Sequence, residues 1–477
     1  MPPVRFRCIV MGMTTGAEPS DPHDATDDVE HFITHAHAFD DLRMFIGFEE
    51  ATVRRAAASS RQAAGSGPLR GELYAVKDIV NVAGMATSGG TSALADIPMQ
   101  QDAPVIARLA HAGAVLAAKT NLHELSFGIT SNNAVHGAVR NPYDPTRIAG
   151  GSSGGSAVAV ATGLVPFAIA ADTGGSARLP AALCGIVGYR PTVGRYPMRA
   201  VLPISPTRDT LGLVARTVGM VRTVDAVIRE ESPARATAHD RPRRGHVRLG
   251  LPTDVRDTDL DPAIATSYRA TLRAMEAAGI ELVGIDLGGA FETAGRIGLT
   301  IALAEFPGAV EQFLTDAGID IELETIGAGI GSPDVRRIWE SAFSAPTPVD
   351  VYRQAMRERE LARTRFIAAL DRSDVDAIVF PTAPVTARPI GDDDTIELRG
   401  ERVGTFETYT RFTNLAGVLG LPGISLPSGL DDQGLPIGME LDARPGDDDR
   451  LLEIAATIAP LLDSTPPPPR RRTPTGG

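Results

Sequence analysis

The sequence predicts an α/β protein whose sheet is largely parallel and covered by helices on both faces. Apolar runs of strand length recur at 73–82, 114–120, 246–251, 281–286, 377–381, 423–427 and 438–441, and stretches of helical length separate most of them. A hydrophobic content of 43% and a charged content of 22% over 477 residues supply ample core for such a fold. No internal repeat is evident.

Residues 1–28 are polar and acidic and are expected to lack structure. The helical pattern of 29–61 carries His31, His35 and His37. The i, i+4 spacing of the first two suits a metal, but no further ligand set follows and no HExxH motif occurs, so they read as solvated helix surface. In the strand-like LYAVKDIVNV, Lys77 is flanked by Tyr74, Ala75, Val76, Ile79 and Val80. Burial there lowers an ammonium toward its neutral, base-competent form; a salt bridge at a strand end accounts for the same pattern. A helix over 102–113, closed by Gly113, leads to a buried strand over 114–120. GAVLAAKT in that strand is a near miss for a phosphate loop, since Ala118 stands where glycine is required and the segment is itself a strand; nucleotide binding is rejected.

Beyond residue 218 a helix (218–230) and a Pro- and Arg-containing connection (231–244) precede a strand-helix-strand unit with its helix over 262–278. Periodicity weakens over 288–345, which holds the one tryptophan, Trp339. A long helix over 350–370 and helices near 406–417 and 448–462 complete the pattern, and the STPPPPRRRTPTGG tail (465–477 within it) is expected to be extended and disordered.

Composition excludes several classes. Lys and Arg number 46 against 59 Asp and Glu, and the net charge of −13 repels polyphosphate, so no nucleic-acid partner is expected. Cys8 and Cys184 are the two cysteines, too few for a disulfide framework or a four-cysteine zinc site, which points to a reducing cytoplasm. The apolar run 157–171 would span about 22 Å as a helix against about 30 Å of hydrocarbon and contains Gly163 and Pro166; it reads as core, and no membrane partner is expected. No signal peptide is read at the start, and Met11 or Met13 remains open as the true start.

The chain is organised around GGSSGGSAVAVATGLVPFAIAADTGGSARLPAALCGIVGYRP (150–191), where two glycine-serine clusters bracket an apolar run. Serine among glycines presents a hydroxyl on backbone that larger side chains would crowd. G-x-S-x-G occurs twice in overlap, centred on Ser152 and Ser153, and alone would suggest a nucleophile elbow. That arrangement needs a histidine later in the chain. Of nine histidines, His239 and His246 alone follow the serines, both in or beside the charged connection, so a Ser-His-Asp triad in the usual order is discounted.

GGSSGGS followed by DTGGSxRxPAALCG resembles the signature of the amidase signature family, serine hydrolases with a Ser-Ser-Lys triad. HELSFGITSNN, GAVRNPYDP, GRYP and PISPTRDT resemble its indoleacetamide and mandelamide hydrolase branch. The resemblance implies one domain over 29–464 with a large central mixed β-sheet covered by α-helices on both faces, a signature core over about 73–230 and a variable substrate region over about 288–345. It implies Ser176 as nucleophile, Ser152 as bridging serine behind a cis Gly151–Ser152 peptide, and Lys77 as base. The Lys77–Ser152 and Ser152–Ser176 spacings of 75 and 24 residues agree with the family. Amides of Thr173, Gly174, Gly175 and Ser176 would form the oxyanion hole, aided if a helix starts at Ser176. Ser153 would hydrogen-bond Lys77, and Asp172 with Arg178 would form a supporting ion pair.

The acyl pocket would draw on Leu125, Phe127, Ile129, Tyr196 and the variable region. No metal or organic cofactor is implied, the expected partner is a small amide, and a homodimer is left open. A carbamate, anilide or ester hydrolase would use the same triad. A glutaminase subunit of a tRNA-dependent amidotransferase would as well, but Leu179 stands where glutamine is expected in that branch. A catalytically dead binding protein would need a damaged triad, and all three positions are intact.

Overall fold

The computed structural model describes residues 25–62, 67–229 and 246–469. The connection expected at 231–244, Cys8 and the alternative start positions lie outside those residues. Eleven strands form one sheet in the spatial order Phe45–Gly47, Val115–Thr120, Leu73–Lys77, Phe167–Asp172, Thr210–Ala215, Val187–Arg190, Gly423–Leu430, Pro436–Ala443, Ala377–Pro381, Arg248–Pro252 and Glu281–Ile285.

Helix-strand alternation pointed to a largely parallel sheet, but six of the ten neighbour pairings are antiparallel and four are parallel. The sheet is mixed, as the family resemblance implied. The reason lies in long-range insertion: Thr210–Ala215 returns from the long loop after Arg190 and enters antiparallel between Phe167–Asp172 and Val187–Arg190. A hairpin adds Gly423–Leu430 and Pro436–Ala443, and a connection that short permits only antiparallel pairing.

Phe167–Asp172 illustrates why both faces are covered. Phe167, Ile169 and Ala171 join one apolar cluster and Ala168 and Ala170 the other, the period-2 alternation of a strand buried on two sides. The buried helix Gly154–Ala161 and the helices Ala25–Ala38 and Glu50–Gln62 lie on the second side. Pro104–His111, Val218–Ile228, Ala290–Ala317 and Val349–Ser373 contribute to the first.

Several boundaries depart from expectation. A helix begins at Ala25, inside the segment expected to lack structure. Phe45–Gly47, a short edge strand, interrupts the expected helical region 29–61. The strand at 73–82 stops at Lys77, and the helix near 406–417 is two helices, Thr405–Thr410 and Asn414–Leu419. The weakly periodic stretch forms Ala290–Ala317, Leu323–Gly329 and Pro333–Ser344. Its weak signal follows from Ala290–Ala317 being apolar around much of its circumference, because it packs between Val349–Ser373 and Asn414–Leu419. Among the described residues it is also the one helix long and apolar enough to cross a membrane. The tail is tied down at its start: the Pro466 carbonyl accepts from Tyr143 Oη at 2.7 Å.

Candidate active site

Leu73–Lys77 and Phe167–Asp172 are parallel neighbours in register Tyr74↔Phe167, Ala75↔Ala168 and Val76↔Ile169, so both strands end at one edge of the sheet. Lys77 closes the first, and the loop 173–177 leaves the second beside it. The turn before Gly154–Ala161 supplies Ser152, whose peptide with Gly151 is cis. Lys77 Nζ lies 2.7 Å from Ser152 Oγ, both residues being fully buried. Burial lowers the Lys77 pKa from 10.5 to about 7, against the opposing pull of the Asp172 and Asp209 carboxylates. Lys77, Ser152 and Ser176 line one cavity of about 10 Å³.

The glycines have separate steric duties. A Cβ on Gly175 would collide with the Thr413 hydroxyl, and its φ of +129° is closed to ordinary L residues. A Cβ on Gly155 would strike the carbonyls of Met44 and Asn121, so the helix carrying the Ser152 turn docks only where no side chain intervenes. The HELSFGITSNN segment holds this turn from behind: the His123 amide and the Ser131 hydroxyl donate to the Ser152 carbonyl at 3.0 and 3.3 Å. The Ser153 amide donates to the Ser176 carbonyl at 3.2 Å, tying the two serine loops together.

A buried charge network anchors the Ser176 loop. Asp172 accepts from the Gly175 amide at 2.9 Å, the Ala177 amide at 3.2 Å, Arg178 Nε and Nη2 at 2.9 Å each, and Arg190 Nη1 at 3.2 Å. Burial alone would raise its pKa, but the two guanidinium groups and the Ala177 amide hold it well below the usual carboxylate range. Arg178 also reaches Glu440, and Arg208 Nη2 holds the Thr173 carbonyl at 3.2 Å. Asp209 accepts the Thr173 hydroxyl at 2.6 Å and the amides of Ile204 and Ser205 at 2.8 Å each. Nothing in the sequence singled out Arg190 or Thr413, whereas Arg208 and Asp209 of PISPTRDT were expected to be structural, as their bonds to the Ser176 loop show. PISPTRDT was visible as a motif, but nothing local tells which loop its arginine and aspartate support.

Five site expectations change. Ser153 does not bond Lys77; its hydroxyl donates to the Ala171 carbonyl at 3.2 Å, because it sits at the helix start facing the neighbouring strand. The Gly175 amide is taken by Asp172, which leaves Thr173, Gly174 and Ser176 as candidate oxyanion donors. No helix starts at Ser176: the next one is Arg178–Leu183, two residues later. Leu125, Phe127 and Ile129 pack behind the site, with Phe127 edge-to-face on Phe306 at 4.6 Å and the Ile129 backbone against Gly151. Tyr196 turns its hydroxyl to Asp225 at 2.7 Å and is core. The cavity wall is instead Ile79, Ser126, Met198, Val201, Leu202 and Ile204. A separate cavity of about 530 Å³, walled in part by Asn81, Met99 and Phe313, shares Met198, Val201 and Asp209 with it.

Other charged groups play structural parts. Lys119 of the phosphate-loop near miss is buried and directs its ammonium to Asp78 at 2.7 Å, the Ala86 carbonyl at 2.7 Å and the Thr87 hydroxyl at 3.0 Å. Its three N–H groups are thereby committed. His31 and His35 stack at 3.9 Å, His37 pairs with Glu50, and no His, Cys, Asp and Glu cluster suited to a metal occurs among the described residues.

The sequence profile described as Amidase matches residues 28–452. An indoleacetamide hydrolase of Agrobacterium vitis is 40% identical over 440 residues, 91% of this chain and 93% of that protein. A mandelamide hydrolase of Pseudomonas putida is 36% identical over 471 residues, 93% and 89% respectively. The structure of the peptide amidase of Stenotrophomonas maltophilia superimposes with a TM-score of 0.79 at 29% identity, covering 93% of this chain and 95% of that one.

Proposed function

The chain belongs to the amidase family, hydrolases of amide C–N bonds, and on that premise we propose that it cleaves a small aryl-acetamide-type carboxamide to carboxylate and ammonia through a Ser176 acyl-enzyme. The observation that carries the reading is the 2.7 Å contact between a fully buried Lys77, its pKa near 7, and Ser152 in a cavity shared with Ser176. A neutral lysine has a lone pair, so this contact can take the Ser152 proton to Nζ. Ser152 in turn accepts the proton of Ser176, whose oxygen attacks the carbonyl carbon. The amides of Thr173, Gly174 and Ser176 stabilise the tetrahedral oxyanion. The proton returns through Ser152 to the leaving nitrogen, the C–N bond breaks, and water activated by the same pair hydrolyses the ester.

A cavity of about 10 Å³ holds roughly one water. An aryl group therefore enters from the 530 Å³ chamber, and Met198, unbranched and common to both walls, is the side chain best able to turn aside. The similarity to indoleacetamide and mandelamide hydrolases supports an aryl acyl group. A fluorophosphonate should add one adduct, located on Ser176 by peptide mass spectrometry; an adduct on Ser152 or Ser153 with Ser176 untouched would reverse the assignment.

Because apolar contacts dominate the acyl side, where one methylene changes kcat/KM by about 10- to 200-fold, indole-3-acetamide, phenylacetamide and mandelamide should all be hydrolysed within such a range. Short aliphatic amides should be much slower. A preference for glutamine or acetamide over every aryl amide would remove the aryl assignment and leave the triad standing. Anilides, carbamates and esters belong in the same panel, since the triad does not fix the leaving group.

A further inference from the structure

Ser126 occupies a turn whose backbone is unfavourable for its residue type. Leu125 and Ser126 take φ of +49° and +63°, the left-handed region where a Cβ is crowded. The surroundings enforce it: the Leu125 amide donates to the Gly89 carbonyl at 2.7 Å, the Ser126 amide to the His123 carbonyl at 2.8 Å, and the buried Glu124 carboxylate accepts the amides of Gly331 and Ser332. The result places Ser126 in the lining of the Lys77–Ser152–Ser176 cavity. The residue is 7% exposed, and its hydroxyl oxygen is buried with no hydrogen-bond partner among the protein groups.

A buried hydroxyl without a partner costs about 1–3 kcal/mol, which alanine would avoid. Apart from Ser176, the proposed nucleophile, the other polar side chains of the wall are committed. Ser152 Oγ contacts Lys77, the Thr173 hydroxyl donates to Asp209, and Asp209 accepts three hydrogen bonds. With Met198 turned aside, a primary carboxamide entering this cavity would direct its oxygen to the amides of the Ser176 loop and one N–H toward Ser152, the proposed proton relay. Its second N–H needs an acceptor.

We infer that Ser126 Oγ accepts this second N–H, making Ser126 the residue that selects primary amides over esters and N-substituted amides. The inference rests on Ser176 being the nucleophile. An ester presents an alkoxy oxygen at the same place, with no hydrogen to donate, and an N-substituent would meet the turn itself.

The test compares kcat/KM for phenylacetamide and methyl phenylacetate, which share an acyl group, in wild type, Ser126→Ala and Ser126→Gly. Glycine suits a φ of +63°, so Ser126→Gly removes the hydroxyl without burdening the fold. The amide-to-ester ratio should fall about 10- to 100-fold in both variants. A ratio unchanged from wild type overturns this proposal alone. Fluorophosphonate labelling of the wild-type enzyme is run alongside; an adduct away from Ser176 removes the nucleophile assignment and this proposal with it.

Discussion

Replacing Lys77 by arginine is expected to lower kcat by about 10³-fold or more while leaving the protein folded, and Lys77→Ala should do the same. The two variants fail for different reasons. Alanine removes the base, whereas arginine keeps a cation that cannot deprotonate. The base role proposed for the wild-type residue rests on burial, which disfavours its charged form and brings its pKa from 10.5 to about 7. The nearby Asp172 and Asp209 carboxylates oppose that shift without cancelling it. The sign follows: the active form is neutral, so kcat/KM should climb as pH rises through about 7 and level off above it. Loss of this limb in Lys77→Ala, measured on whatever slow turnover remains, would tie it to Lys77. Near-wild-type turnover by Lys77→Arg would place the base elsewhere.

Asp172→Asn is expected to cost about 3–5 kcal/mol of stability, read as a lower denaturant midpoint, together with activity. The substitution keeps the shape and removes the charge. Arg178 would keep Glu440, but Arg190 would keep only the backbone carbonyls of residue 172, Leu421 and Arg208 in place of a carboxylate. Both guanidinium groups are fully buried, and an uncompensated charge is expensive there. The Gly175 and Ala177 amides bond different oxygens of Asp172, so one of them would face an NH2 donor in place of its acceptor, loosening the backbone beside Ser176. The Asp172 carboxyl is held below the usual range, so its stabilisation is present above the unfolded pKa of about 3.9 and is lost as pH falls through the lower folded value. A variant as stable as wild type at pH 7 would mean that the two arginines are neutralised by other groups.

The parts of the site that were legible are those whose signal is local. Gly174 and Gly175 mark the loop in residues adjacent to Ser176, although the atoms that leave no room for a Cβ there belong to Asn414 and Thr413. Lys77 among Tyr74, Ala75, Val76, Ile79 and Val80 announced its burial, since a strand enclosed by apolar neighbours on both faces cannot leave its terminal side chain in water. The family resemblance joined these fragments across 75 and 24 residues, a step no local pattern supports.

Four expected pocket residues illustrate what was not legible. Leu125, Phe127, Ile129 and Tyr196 are apolar or aromatic and lie near the signature in sequence, which describes a core residue as well as a pocket wall. Phe127 found Phe306 and Tyr196 found Asp225, partners 179 and 29 residues away. Ser126, flanked by two of them, lines the cavity where two left-handed residues reverse the turn.

Taken by itself, the sequence determined the α/β class, the serine-bearing loops, the buried lysine and the family, because each rests on short-range sterics, hydropathy or a contiguous motif. Tertiary structure decided the strand directions, which amides of the Ser176 loop stay available after Asp172 takes that of Gly175, and the walls of the cavity. Those features depend on how segments distant in the chain pack, and a side chain's neighbour across a sheet or loop is set by the whole core and not by the residues beside it.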